Sequence, residues 1–335
     1  MKILAFGEVM MRLMPSDYKM LSQVNELEFL FTGTGMNILS GLYQMGEDVY
    51  LSTCLPDNPV GQAASAHIRK IGIHDEFLQY HGDHIGIYFL EKGIGNRASQ
   101  VTYLNRKDSS FGQSELSHYD FSCLDGMDAL HICGISLAFN ERIRNIAFTF
   151  AKEAKKRNVK VIFDCNFRPS LWQDIDQKEI QIIYKKMLKI SDIVFAGYKD
   201  ATLLLHMKTH EELSYVDQLK ELLSNMCKEY QIEVIFGTQR SNNNQEEFLQ
   251  GFMVTKDEIT VSSQFQLTVY DRVGGGDGFA AGAIYGYLHN IEMGELINYA
   301  TVSGLLAHTV YGDSPLSTKD DILDYMKNGK SDIKR

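Results

Sequence analysis

The sequence predicts an α/β fold: a mainly parallel central sheet with helices on both faces, making three layers, and a small β-sheet lid. Three observations lead there. Strand-like and helix-like segments alternate along most of the 335 residues, the βαβ rhythm of a covered parallel sheet. Two stretches break this rhythm with paired extended segments and no helix between them. Near the C-terminus, three glycines, Gly274 to Gly276, run through Asp277 into a segment without a charge from Gly278 to Leu288. A helix of that composition is expected to be buried on every side.

Taken in order, Lys2–Val9 reads as the first strand, Met36–Met45 as a helix and Val49–Leu55 as a strand. Pro59–Ile71 is expected to be helical, capped by Asn58 with Pro59 in the first turn. The strand Ala129–Gly134 precedes a helix whose apolar residues Ile143, Ile146, Ala147, Phe150, Ala151 and Ala154 share one face. Val159–Asp164, Asp192–Ala196 and Glu233–Thr238 read as strands, with helices over Ile180–Ile190 and Val216–Tyr230. Val9–Leu13, Glu28–Thr32, Ile85–Leu90 and Val101–Leu104 are short extended segments suited to a separate sheet, the lid, or to an edge extension of the main one. The expected organisation is a single domain over 1–328 with lid segments at about 9–32 and 83–106, a polar hairpin tip at Ser241–Glu247, and a frayed tail at 329–335.

Composition narrows the function. No run of 18 apolar residues suggests a membrane span, and Gly7 and Glu8 come too early for a signal peptide. Five scattered cysteines fit a reducing cytoplasm and form no zinc spacing. The net charge is −10 and the one basic stretch, Lys152–Lys160, reads as the wet face of a helix, so nucleic acid is not an expected partner.

The glycine run carries the chemistry. Glycines leave no side chain between backbone and ligand, and a helix N-terminus offers unpaired N–H groups to an anion. Asp277 beside such a cradle is placed to take a proton from an attacking hydroxyl. Taken alone, the run is also consistent with a tight turn and an N-cap. Three further clusters lie where ligands of open α/β sheets bind. They are Thr32-Gly-Thr-Gly-Met-Asn37; Asp164, Asn166 and Arg168, alternating after a strand; and Tyr88 with Tyr103-Leu-Asn-Arg106 on the lid. Each has a plainer alternative: a capped turn, a salt bridge from Arg168 to Asp164, and packing of the lid on the body.

Gly274-Gly-Gly-Asp277 followed by Gly-Phe-Ala-Ala-Gly282 resembles the Gly-Ala-Gly-Asp-x-Phe-x-Ala-Gly signature of ribokinase-like (PfkB-type) carbohydrate kinases. Phe6-Gly-Glu8, Thr32–Asn37, Ile132–Leu137 and Phe163–Trp172 extend the resemblance over nearly the whole chain; the last two are most similar to the branch that phosphorylates 2-keto-3-deoxygluconate. The resemblance implies a ribokinase-like fold, with Asp277 as general base and the N–H groups of Gly274, Gly275, Gly276 and Asp277 as the anion hole. It implies a sugar pocket of Gly33, Thr34, Asn37, Tyr88, Arg106, Arg168 and Asp313. Asn166, Gly237 and the glycine run would face ATP, Asp200 would serve Mg2+ through water, and Asp271 would help bind a monovalent cation such as K+. Partners would be a sugar acid, ATP and a second copy of the chain, joined in a homodimer through the lid.

Three positions depart from the family pattern. Gly275 stands where Ala is usual, a change expected to be sterically harmless. Gly197-Tyr-Lys-Asp200 replaces Asn-x-x-Glu. Gly237-Thr-Gln-Arg240 replaces Lys-x-Gly-x-x-Gly. An acid substrate is favoured because a buried carboxylate needs a cation, and Arg106 and Arg168 offer two. A neutral-sugar kinase such as a fructokinase, and a catalytically silent sugar-binding protein, are the alternatives.

Overall fold

The computed structural model describes residues 1–243 and 246–330. In chain order it contains β1 (Lys2–Phe6), β2 (Met10–Met14), β3 (Glu28–Thr32), α1 (Thr34–Gln44), β4 (Asp48–Leu55), α2 (Pro59–Lys70), β5 (Leu78–Tyr80), β6 (Gly86–Glu91) and β7 (Gln100–Leu104). Then come α3 (Ser110–Gln113), β8 (Ala129–Cys133), α4 (Gly134–Phe139), α5 (Glu141–Lys156), β9 (Lys160–Asp164), α6 (Gln177–Leu188), β10 (Ile193–Phe195) and α7 (Tyr215–Tyr230). The rest is β11 (Val234–Asn243), β12 (Glu246–Val254), β13 (Ile259–Val261), β14 (Phe265–Gln266), α8 (Gly275–Leu288), α9 (Met293–Ala307) and α10 (Lys319–Asn328).

Among the described residues the main sheet has the order β13-β12-β11-β10-β9-β8-β1-β4-β5, with β14 also on β12. It is parallel from β11 to β5 and antiparallel beyond β11. Side chains alternate across a strand, and both faces of β1 are buried. Leu4 and Phe6 join the core under α5, where the Phe6 and Phe150 rings stack 4.7 Å apart; Ile3 and Ala5 join the opposite core with α1, α8 and α9. Both sheet faces are therefore covered, as the βαβ rhythm predicts.

The lid is a separate four-stranded sheet in the order β3-β2-β6-β7, so the edge-extension alternative is excluded. Lys2–Val9 is not one strand. β1 stops at Phe6, and the chain passes through Gly7 to Val9 into the lid at Met10. Asn58 caps α2 as expected, accepting from the N–H groups of Val60 and Gly61 at 3.0 and 3.2 Å. The polar stretch 241–247 is mostly strand, since β11 runs to Asn243 and β12 resumes at Glu246; its tip, and residues 331–335 of the tail, lie outside the described residues.

α8 is buried almost all round. Its core neighbour α9 escaped the sequence reading because it too is nearly apolar and shows no polar face. The two helices pack closely through small residues. A Cβ on Gly278 or Gly282 would meet Ala307 at 2.5 Å or Ala300 at 2.9 Å. This contact holds the N-terminus of α8 at the mouth of the cleft between sheet and lid.

Candidate active site

One cleft of about 1210 Å³ runs across the C-terminal ends of the parallel strands, under the lid. That exceeds the roughly 300–1,000 Å³ typical of a single small-molecule pocket, so there is room for two substrates. The cleft gathers Gly33, Thr34, Asn37, Tyr88, Arg106, Asn166, Arg168, Asp200, Gly237, Gly274, Gly276, Asp277 and Asp313. Gly275 and Asp271 lie behind its wall.

Gly274 begins α8 at φ +89, in the left-handed region that favours glycine. A Cβ there would also strike the Asp313 carbonyl at 2.1 Å. The first helical bond is donated by Gly278 to the Gly274 carbonyl at 2.8 Å. The N–H groups of Gly275, Gly276 and Asp277 are thus left without intrahelical acceptors at the positive end of the helix. A Cβ at Gly276 would meet nothing within 4 Å, so this residue opens onto the cleft.

Gly275 is different: the space left by the change from the usual Ala to Gly is filled by a neighbour. Its missing side chain leaves room for the ring of His308, which a Cβ would strike at 2.0 Å. His308 is buried and burial lowers its pKa. Its Nδ1 lies 2.6 Å from the Gly304 carbonyl, which can only accept, so Nδ1 carries the proton. Nε2 then accepts from the Arg240 guanidinium at 2.8 Å. Arg240 lines the cleft on β11, the strand that also carries Gly237.

Asp277 sits in the first turn of α8 and accepts from the Asn37 side-chain amide at 2.7 Å. Burial pushes its carboxyl up to about 7, against the Asn37 hydrogen bond and the Arg168 charge. Asp164 is raised to about 7 by burial and by the negative charges of Asp277 and Asp200. Asp200, whose carboxylate accepts the Gly197 N–H at 2.8 Å, is raised to about 6 by burial. Asn166, at φ +37, donates to Asp164 from its backbone and its side chain, both at 3.2 Å. Three acids share one cleft, and a bound cation would relieve their mutual repulsion. No cluster of three or more metal-ligating side chains occurs among the described residues. Asp164, Asp200 and Asp277 are thus the cleft carboxyls that could meet a cation brought in with phosphates.

The sugar-side residues are not equivalent. Arg106 lines the cleft, but its guanidinium is already bound to Glu8, at 2.9 Å from Nε and 2.8 Å from Nη2, and lies over the Tyr103 ring at 4.9 Å. Glu8 was not singled out from sequence as a site residue. Arg168 lines the cleft, where its charge acts on Asp164, Asp200 and Asp277, but among the described residues its guanidinium is within ion-pair distance of none of them, and the salt bridge to Asp164 does not form. Asp313 is held by Thr32 Oγ1 at 2.7 Å, by the Tyr88 hydroxyl at 3.0 Å and by Arg12.

Asp271 does not fit a monovalent cation. Its Oδ2 lies 3.0 Å from Arg12 Nη2 and 3.0 Å from Lys92 Nζ, and its Oδ1 accepts the Val273 N–H at 3.3 Å. Against burial, Arg12 and Lys92 hold its carboxyl below the usual range. A further cation about 4 Å from either would be repelled by about 4 kcal/mol at an effective dielectric of 20.

Residues 1–320 match the profile of the pfkB family carbohydrate kinases. The chain belongs to that family. It is 22% identical over 338 residues to the 2-dehydro-3-deoxygalactonokinase of Haloferax volcanii, covering all of this chain and 99% of that one. It is 24% identical to the 2-dehydro-3-deoxygluconokinase of Bacillus subtilis, covering 96% of this chain and 94% of that one. The crystal structure of a provisionally named 2-keto-3-deoxygluconate kinase from Enterococcus faecalis superposes with a TM-score of 0.95 at 40% identity, covering 100% of this chain and 98% of that one. The 2-dehydro-3-deoxygluconokinase of Thermotoga maritima gives 0.92 at 28%, covering 98% of each. The chain is accordingly a phosphotransferase with an alcohol group as acceptor, on a ribokinase-like fold.

The two neighbouring glycines separate stability from catalysis. Gly275→Ala should displace His308 and cost about 1–3 kcal/mol of stability, the range for overpacking a core, read as a lower Tm. Gly276→Val should leave Tm nearly unchanged and lower kcat/KM on the order of 10²-fold, as expected for misplacing the reacting group. Indifference of Tm to Gly275→Ala would show that the ring moves away freely.

Proposed function

We propose that this kinase transfers the γ-phosphoryl of ATP to the terminal 6-hydroxyl of 2-keto-3-deoxygluconate. The observation that carries the acid-sugar assignment is Arg168, a cleft-lining guanidinium that feels Asp164, Asp200 and Asp277 but closes a direct ion pair with none of them. A substrate carboxylate would meet it through charge-assisted, bidentate hydrogen bonds. The names of the Enterococcus, Thermotoga and Bacillus proteins support the same sugar acid.

The chemistry follows from the chain's own groups. Asp277, oriented by the Asn37 amide, takes the proton of the sugar hydroxyl as its oxygen bonds to the γ-phosphorus. The bond from phosphorus to the β–γ bridging oxygen breaks, and ADP leaves with the electron pair. The N–H groups of Gly275, Gly276 and Asp277 receive the negative charge on the transferred group. Arg240, held by neutral His308, faces the nucleotide half of the cleft beside Gly237. Mg2+, when bound with the phosphates, would neutralise their charge, with Asp164 and Asp200 as the carboxylates that reach it through water. The lid excludes water from the hydroxyl's place.

We also place the enzyme in a reducing cytoplasm, supported by five buried, unpaired cysteines, and as a homodimer through the lid. Strand register puts Leu13, Phe29, Phe89 and Leu104 on the lid face turned away from the cleft, where Phe31, Met11 and Ile87 of the same face pack against the body core. Phe29 is 55% and Leu104 46% exposed. An apolar sheet face of this kind is characteristic of an interface.

Three measurements test these readings. A coupled assay should show turnover with 2-keto-3-deoxy sugar acids far above that with fructose, and Arg168→Leu should raise KM for the acid by roughly 10–150-fold, the loss of a charge-assisted bond. An unchanged acid-to-neutral ratio in that variant would make Arg168 structural. The pH profile tests Asp277. A carboxyl raised to about 7 is protonated below that pH and cannot act as base. kcat/KM should therefore fall about tenfold per unit below neutrality, and Asp277→Asn should lower kcat by ~10²–10⁴-fold. Leu13→Glu together with Phe89→Glu should convert a dimer to a monomer in sedimentation; a wild type that is already monomeric rejects the lid interface.

A further inference from the structure

Lys92 follows the lid strand β6, yet its ammonium lies on the carboxylate of Asp271, in the loop that leads into the anion hole. The surroundings form a cage. Nζ is 3.0 Å from Asp271 Oδ2, 4.7 Å from the centre of the Tyr311 ring and 5.8 Å from that of Tyr270. Carboxylate and aromatic faces are the groups that hold a desolvated monovalent cation. The Lys92 side chain is only 15% exposed, and the carboxylate 3%. The caged carboxylate also acts on the backbone of the site. Its Oδ1 accepts the Val273 N–H at 3.3 Å, one residue before Gly274, and the N–H groups of Tyr270 and Asp271 are both bound to the His308 carbonyl, at 2.8 and 3.2 Å.

We propose that Lys92 is a tethered cation that takes the place of a bound monovalent ion beneath the anion hole, and that it latches the lid to the loop shaping that hole. A free ion at Asp271 would sit beside two fixed positive charges, Lys92 and Arg12. The lysine needs no ion from solution, and it ties the charge to the position of the lid. Lys92 is thus a positioning residue, acting on the phosphoryl site through Asp271 and the Val273 backbone. The inference rests on the phosphoryl-transfer reading of the glycine run.

The test compares KCl, NaCl and choline chloride at constant ionic strength, reading both sugar-kinase kcat and the Tm of the substrate-free protein. Wild type should show the same kcat and Tm in all three salts. Lys92→Met keeps the stem and removes the charge. It should lower kcat by about tenfold or more, the loss of one charge-assisted bond. Its kcat and Tm should then rise selectively in KCl, a response that a purely structural lysine would not produce. Lys92→Arg should remain indifferent to the cation. A wild type stimulated several-fold by KCl over choline chloride would overturn the proposal, as would a Lys92→Met variant with full kcat in every salt. If Lys92→Met does not fold, the wild-type salt series and Lys92→Arg still decide. If no sugar is phosphorylated, the kinase reading fails, while the Tm series still tests whether Asp271 accepts an external ion.

Discussion

The site hangs on a single buried guanidinium. Arg12 is 0% exposed and bonds to Asp271 before the glycine run and to Asp313 after α9. Both oxygens of Asp313 are used, one by Arg12 and the other by Thr32 and Tyr88. The lid strands β2, β3 and β6 are thereby tied to the two loops that frame the N-terminus of α8. Breaking a buried charge network by removing one partner costs about 3–5 kcal/mol, because the remaining charges are stranded. The geometry of the α8 N-terminus is therefore coupled to the seating of the lid, and not to the main sheet alone.

Charge is distributed to match the two halves of the reaction. Asp277, Asp164 and Asp200 are crowded into the cleft and raised by burial, which leaves them poised to lose protons when a cation enters. The structural cations are matched internally, Arg106 by Glu8 and both Arg12 and Lys92 by Asp271. Arg168 closes no direct ion pair, although it faces the three cleft acids, and a guanidinium so placed in a concave site is a feature of recognition more than of stability. Neutral His308 fixes Arg240 without adding a charge of its own behind the glycine cradle.

Much of this was legible in the sequence. The alternation of strands and helices, the cap at Asn58 and the uniformly apolar α8 rest on local periodicity and turn chemistry, which act over a few residues. α9 was missed for the same reason that α8 stood out: a helix buried all round has no periodicity to detect. The strand end after β9 was readable as a site position because ligands of open α/β sheets bind there, while Asp200, after β10, came only from the resemblance. Arg12 left a faint signal, a single charge inside Met10-Met-Arg-Leu-Met14. Lys92 and His308 left none.

By itself the sequence determined the fold class, the anion cradle and the acid beside it, because each is written in contiguous residues whose backbone freedom, helix dipole and polarity act locally. Pairings across long chain separations were decided only by the tertiary structure. Arg106 met Glu8 and so left Arg168 as the arginine of the sugar-side pair without a direct ion pair; Lys92 met Asp271; His308 filled the space that the missing methyl of Gly275 left open. Which charge neutralises which, and which side chain occupies a given void, depends on distances between residues far apart in the chain, and those distances exist only once the sheet, the lid and α8 have packed together.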